Sequence, residues 1–83
     1  MKLTLEDIEF LIEKEEYQKM GQKTTVCLLT LKSGFEIVTS SSCVDPNNYN
    51  HDLGQIYSRQ RAIDKLWELA GYNQQCKHDK IMH

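Results

Sequence analysis

Long apolar runs are absent from the sequence, and none approaches the roughly 18 residues of a membrane-spanning helix. We therefore expect no membrane partner. The opening residues MKLTLEDIEF are acidic and periodic, which argues against a secretory signal. The three cysteines, an odd number without an export signal, indicate reduced thiols in a cytoplasm rather than a disulfide framework.

Strong charge of either sign is also absent. Ten Lys and Arg against twelve Asp and Glu give a formal net charge of −2, which argues against broad electrostatic binding to nucleic acid. The 83 residues are 40% hydrophobic and 27% charged, a composition typical of one small folded domain. At this size a single core is marginal, and a partner chain often completes it.

The start of the chain predicts a first helix. Thr4 and Asp7 have the spacing of a capping box. Apolar residues then follow at helical intervals, at Leu5, Ile8, Leu11 and Ile12. The pattern predicts a helix over about 5–17, and Gly21 suits its exit.

The next segment predicts a β-hairpin. TTVCLLTLK (24–32) and FEIVTSSS (35–42) are rich in β-branched and apolar residues, and Ser33-Gly34 between them is a two-residue turn signal. That turn places Thr30 opposite Ile37. Both faces then carry apolar side chains, with Val26, Leu28, Phe35 and Ile37 on one and Cys27, Leu29, Leu31 and Val38 on the other. Two strands alone are rarely stable, and their edges invite further pairing.

A long second helix is predicted over about 51–70 from the helical spacing of its apolar residues. With Ala62 and Leu69 these residues cover a wide apolar arc of roughly 240° around the helix, and they are Leu53, Ile56, Tyr57, Ile63, Leu66, Trp67 and Ala70. Gly71-Tyr72 suits the end of this helix. The tail NQQCKHDKIMH that follows has no periodic pattern. We therefore expect a single domain over 1–73 and a loose C-terminal tail over 74–83.

The predicted fold class is α+β, with a helix, a two-stranded antiparallel hairpin and a long helix. Together these elements offer more apolar surface than one small monomer can cover. We therefore expect a homodimer. Either the hairpins pair edge to edge and complete the sheet, or the second faces of the helices meet.

Two blocks of the sequence have a distinctive order. The first contains GFEIV (34–38), SSCVDPNNY (41–49) and Gly54, and the second is AIDKLWELAGY (62–72). They resemble a family of small tailed-phage proteins whose founding members come from an enterobacterial podovirus and a Shigella phage. Thr39-Ser40 and Ala70 depart from that pattern, which tends to have glycine and glutamate there. The resemblance implies a phage or prophage origin and a host-cytoplasm setting, and it implies no established activity.

The stretch SSCVDPNNYNHDLG (41–54) holds most of the candidate site residues. Its structural interpretation is a turn at Asp45-Pro46, anchored in the core by Val44 and Tyr49 and followed by an asparagine that caps the long helix, at Asn47, Asn48 or Asn50. The functional alternative is a cradle of backbone amides that binds an anion or a nucleotide phosphate. No Gly-rich phosphate motif accompanies it.

Cys43 is a candidate nucleophile, with His51 eight residues further on as its base. The alternative is a small buried thiol, which the absence of a triad signature favours. Cysteine and histidine also suit zinc, but the spacings of Cys43, His51, Cys76 and His78 do not match zinc motifs. We expect no metal site and no cofactor.

Arg59 falls inside the apolar arc of the long helix, together with Gln55 and Gln60. Its structural interpretation is a side chain that snorkels or pairs with Asp45, Asp52 or an acidic residue of the first helix. The functional alternative is an interface or ligand arginine in a polar network with both glutamines.

These observations favour a non-enzymatic phage accessory protein that binds a host protein, as an inhibitor of a defence or regulatory machine would. The competing hypothesis is a homodimer that binds a small ligand or nucleotide with Arg59 and the 43–50 loop. An enzyme that uses Cys43 is the weakest of the three. The candidate ligand or partner residues are Cys43, Asp45, Asn48, Tyr49, Gln55 and Arg59.

Overall fold

The computed structural model describes residues 3–82, and the side chains of all of these except Pro46 and 77–82. A three-stranded antiparallel sheet of order β1-β2-β3 packs with one face against a long helix. The elements in chain order are α1 (Leu5–Phe10), β1 (Ile12–Met20), β2 (Thr24–Leu31), β3 (Glu36–Ser42), a single 3-10 turn (Pro46–Asn48) and α2 (His51–Met82). This architecture confirms the predicted α+β class.

The first helix is shorter than predicted. Its capping box is present, since the Thr4 hydroxyl accepts from the Asp7 N–H at 3.2 Å and the Asp7 carboxylate accepts from the Thr4 N–H at 3.0 Å. However, α1 ends at Phe10, and the residues predicted as its last turns form β1. Gly21, at φ +72°, opens the β1–β2 turn instead of ending a helix. The sheet therefore has a third strand from the same chain.

The β2–β3 hairpin is present, but the predicted register is wrong by one residue. The Leu31 N–H donates to the Phe35 carbonyl at 2.8 Å, which makes a three-residue loop of 32–34. Gly34 takes the left-handed conformation that this loop needs, at φ +92°. Leu29 consequently lies opposite Ile37, and a one-residue slip moves every side chain of β3 to the other face.

The corrected register gives the sheet an inner and an outer face. The inner face packs on α2 and α1 and forms one core of Ile8, Cys27, Leu29, Leu31, Ile37, Ala62, Ile63 and Leu66. Helix and sheet approach closely where Gly54 meets β2, since a Cβ at position 54 would overlap the Thr25 side chain. This contact fixes the first turns of α2 against the middle strand.

The second helix is longer than predicted. It does not stop at Gly71-Tyr72 but continues to Met82, so the segment predicted as a tail is helical up to that residue. The looseness predicted for 74–83 stays a prediction, and His83 lies outside the described residues. The homodimer likewise stays a prediction.

Candidate functional site

The predicted turn and helix cap of the 43–50 loop are both present. The Asp45 carboxylate accepts from the Asn47 N–H at 3.0 Å, and its carbonyl accepts from the Asn48 N–H at 3.0 Å. The Asn50 side chain accepts from the N–H groups of Asp52 and Leu53 at 3.0 and 3.2 Å. Asn50 is therefore the N-cap of α2.

The two predicted anchors of the loop behave differently. Tyr49 is half-buried, and its hydroxyl lies 2.7 Å from Thr25 Oγ1 and 2.8 Å from His51 Nδ1. Lys19 Nζ lies 4.7 Å from the centroid of the Tyr49 ring, a cation–π contact. Val44, by contrast, is 95% exposed, so its predicted insertion into the core is wrong.

A small cleft of about 150 Å³ lies between the loop and α2. Of the candidate residues it brings together Cys43, Asn48 and Tyr49, beside Lys23, Leu53 and Tyr57. The Cys43 thiol donates to the Asp45 carbonyl at 3.2 Å, whereas His51 Nδ1 faces the Tyr49 hydroxyl. Cys43 and His51, the hypothetical nucleophile and base, therefore form hydrogen bonds with different partners and not with each other.

Arg59 forms the acidic pairing that the sequence predicted. Its Nε lies 2.9 Å from Glu15 Oε1 on β1, and a terminal nitrogen lies 2.9 Å from Glu9 Oε2 on α1. The hydrogen bond from Arg59 holds the pKa of Glu15 below its ordinary value, against the opposing effect of burial. Burial and the hydrogen bond to Glu15, at 2.7 Å, raise the pKa of Tyr17.

The structure does not place Arg59 in the cleft. Tyr57 lines the cleft, and Arg59 projects from α2 about 160° away around the helix axis. Gln55 is half-buried one turn before Arg59, and its backbone carbonyl accepts from Ser58 Oγ at 3.2 Å. The exposed Gln60 donates to Asp64 at 2.9 Å. The composite site of Arg59 with the 43–50 loop is therefore not assembled within one chain.

Several polar contacts of α2 were not predicted. Ser58 is fully buried and donates to the Gly54 carbonyl at 2.7 Å. Thr39 Oγ1 donates to the Ser58 carbonyl at 2.6 Å, and Arg61 donates to the Ser40 carbonyl at 2.7 Å. The Ser58 bond is the local contact that a helical serine makes with the carbonyl four residues earlier. No sequence signal identifies the partners of Thr39 and Arg61, because these two contacts depend on how β3 lies against the helix.

An exposed apolar surface lies on the first turns of α2, and we call it the α2 face. It consists of Leu53, Ile56 and Tyr57, which are 46%, 60% and 56% exposed. The wide apolar arc predicted for this helix contained all three residues. The sequence could not show that the sheet leaves them uncovered.

The thiols and histidines whose side chains the structure describes do not form a metal-binding cluster. Among the side chains that the structure describes, no three His, Cys, Asp or Glu are close enough to hold a metal ion. Cys76 follows His51 by 25 residues in one helix, which separates them by about 38 Å. The side chain of His78 lies outside the described set.

Cys27 belongs to the core. It is fully buried, and burial raises the pKa of its thiol, which is the environment of an inert structural cysteine.

No helix within residues 3–82 combines the length and apolar character needed to cross a bilayer.

The fold and the candidate site define a small α+β protein with a helix packed on one sheet face. The chain belongs to the phage protein (N4 Gp49/phage Sf6 gene 66) family, whose model matches residues 3–77. This membership confirms the resemblance seen in the sequence. No curated protein and no solved structure gives a significant match to the chain.

Proposed function

We propose that this phage protein acts in the host cytoplasm by binding a host protein through the α2 face, without catalysing a reaction. The observation that supports the proposal most directly is the exposure of three large apolar side chains, Leu53, Ile56 and Tyr57, on adjacent turns of one helix. Exposed apolar side chains that cluster in this way mark interaction surfaces more often than scattered ones do.

The spacing of the α2 face suits one recognition mode. Residues at i, i+3 and i+4 lie along one side of a helix, and such a side inserts into an apolar groove of a partner. The first turns of α2 are held in place on the sheet, because Asn50 caps the helix and Gly54 packs directly on Thr25. A preordered helix loses little conformational entropy when it binds.

Charge around the α2 face indicates the character of the partner. Asp64 and Glu68 are exposed on the following turns of the same side. The two arginines of these turns are directed toward the protein itself, since Arg59 pairs with Glu9 and Glu15 and Arg61 donates to the Ser40 carbonyl. The exposed Lys65 lies about 100° around the helix axis from Asp64. We therefore expect a groove with an apolar floor and a basic rim, on a host defence or regulatory protein.

Affinity capture from infected cells tests this proposal, with the wild type compared with Ile56→Asp. The matched control is Phe35→Ala, which changes an exposed apolar residue in the β2–β3 loop region. We expect one host protein to co-purify with the wild type and with Phe35→Ala but not with Ile56→Asp. Capture that survives Ile56→Asp, or capture of nucleic acid alone, would contradict the proposal.

The cleft beside Cys43, Asn48 and Tyr49 supports a second candidate, a ligand-binding protein. Its volume of about 150 Å³ is well below the roughly 300–1,000 Å³ of pockets for drug-sized molecules. The candidate is thus limited to ligands smaller than a nucleotide. Thermal unfolding with added inorganic phosphate separates the two functions, because a rise of several degrees that grows with concentration would favour ligand binding.

A further inference from the structure

The outer face of the sheet lacks a covering element among the described residues, because both helices pack on the inner face. The strand register arranges its side chains in four rows across β1, β2 and β3. These rows are Lys14–Thr30–Glu36, Glu16–Leu28–Val38, Gln18–Val26–Ser40 and Met20–Thr24–Ser42. Val38 is 65% exposed, and Val26 and Leu28 are half-buried.

We propose that the outer face binds a second copy of the chain, sheet on sheet, around a two-fold axis parallel to β2. Such an axis superimposes each row on the same row of the partner and places β1 over the partner's β3. Lys14 then meets the partner subunit's Glu36, and this pair occurs twice. Val26 and Leu28 meet their own copies at the centre.

The pattern of charge favours a second copy over an unrelated occupant. The only row with opposite charges at its two ends is Lys14–Thr30–Glu36, and the two-fold operation turns that asymmetry into two attractive pairs. Glu16, which would lie near the partner subunit's Val38, is already neutralised by Lys14 at 3.3 Å in its own chain. The α2 face lacks this self-complementarity, because its charged neighbours Asp64 and Glu68 are both acidic.

The free strand edges are less suited to pairing with a second copy. The bonds Leu31 N to Phe35 O and Cys43 N to Lys23 O fix which β3 residues face β2, so the Ser40 carbonyl points to the open edge. Arg61 donates a hydrogen bond to that carbonyl at 2.7 Å. On the other edge, β1 contains an irregularity between Ile12 and Lys14 and exposed charges, both of which discourage edge-to-edge pairing.

The size of the outer face sets the strength of the dimer. Three strands and four rows measure roughly 14 by 27 Å, because strands lie about 4.8 Å apart and rows about 6.8 Å apart. Stacking two such faces removes on the order of 800 Å² from water, which is below the roughly 1,200 Å² of stable specific interfaces and in the range of weak, transient ones. We therefore expect a weak dimer that dissociates on dilution.

Sedimentation velocity over a dilution series of the full chain tests the interface. We expect Lys14→Glu and Glu36→Lys each to weaken the dimer at least about tenfold, because each turns two attractive pairs into repulsive ones. The double exchange K14E/E36K restores the attraction between the copies with the signs reversed and should recover part of the lost affinity, but not all of it, because Glu16 then lacks its Lys14 partner. Val38→Asp should abolish the dimer, and Tyr72→Ala, an exposed residue of α2, should leave it unchanged.

Circular dichroism melts of every variant check that the fold is kept. A wild type that stays monomeric at hundreds of micromolar overturns the proposal. A dimer that survives Val38→Asp overturns it as well, and so does a double exchange that is no tighter than the single ones. Because the host-binding proposal concerns the α2 face, capture of the host protein by a monomeric Val38→Asp variant would leave that proposal standing.

Discussion

Arg59 on α2 and Glu15 on β1 form an ion pair of 2.9 Å, and the same guanidinium reaches Glu9 on α1 at 2.9 Å. One side chain therefore joins α2 to two elements that lie 44 and 50 residues earlier in the chain. The Arg59 side chain remains 33% exposed, so water screens the pair. The contact orients α1 and β1 on the helix more than it drives folding.

Replacing Arg59 tests this role. We expect Arg59→Ala to lower the free energy of unfolding by about 1–2 kcal/mol, because two charge-assisted hydrogen bonds are lost and Glu15 is left partly buried. Urea unfolding measures the change. The control is Lys65→Ala on the exposed side of α2, which should shift the free energy by less than about 0.5 kcal/mol. Equal effects of the two variants would contradict the assignment.

The same pair makes stability depend on pH. Arg59 holds the folded-state pKa of Glu15 below its ordinary 4.5. A depressed carboxyl pKa contributes stability above the unfolded-state value, and that contribution is lost as the pH falls through the folded-state value. We expect the wild type to lose its advantage over Glu15→Gln from about pH 5 downward. Unfolding free energies measured from neutral to acid pH would be parallel for both proteins if Glu15 were not involved.

Tyr49 provides a test of the predicted loop anchor. Its hydroxyl is the hydrogen-bond partner of the fully buried Thr25 and of His51. Tyr49→Phe leaves a buried hydroxyl without that partner, and we expect a loss of about 1–2 kcal/mol in chemical unfolding. Tyr57→Phe removes a hydroxyl from an exposed side chain and should be close to neutral. A neutral Tyr49→Phe would show that the contact does not anchor the loop.

Strand β1 was not predicted, because its composition favours a helix. The segment IEKEEYQKM is rich in Glu and Lys, which favour helices, and it follows a real capping box. Its strand conformation comes from full-length pairing with β2, a tertiary effect that overrides local preference. The only local hint was Gly21 at the turn.

The register error had a different cause. Ser33-Gly34 resembled a two-residue turn, whereas the loop uses three residues with Gly34 at its last position. A single residue decided which face of β3 is buried. In the site, Asp45 and Asn50 have local partners two or three residues away, and these were predictable. The partners of Arg59 lie 44 and 50 residues away, and only their acidic character could be predicted.

The contact between Gly54 and Thr25 predicts that Gly54→Ala destabilises the protein, whereas helix propensity alone predicts that this substitution stabilises it. Alanine is the better helix former, by about 1 kcal/mol over glycine. Gly71→Ala, with nothing within 4 Å of its new Cβ, should therefore stabilise the protein by about 0.5–1 kcal/mol. Gly54→Ala inserts the same methyl group against Thr25 and should destabilise by about 1–3 kcal/mol, because helix and strand must separate.

Thermal and urea unfolding of the two glycine variants, made in parallel, measures whether each substitution raises or lowers the free energy of unfolding. The double variant Gly54→Ala with Thr25→Ala, compared with Thr25→Ala alone, is the control for the cause, because Thr25 Oγ1 is the atom nearest to the new methyl group. Removing the Thr25 side-chain atoms should recover part of the loss caused by Gly54→Ala. If Gly54→Ala stabilised the protein as Gly71→Ala does, the close approach of α2 to β2 would be refuted, and with it the rigid placement of the α2 face.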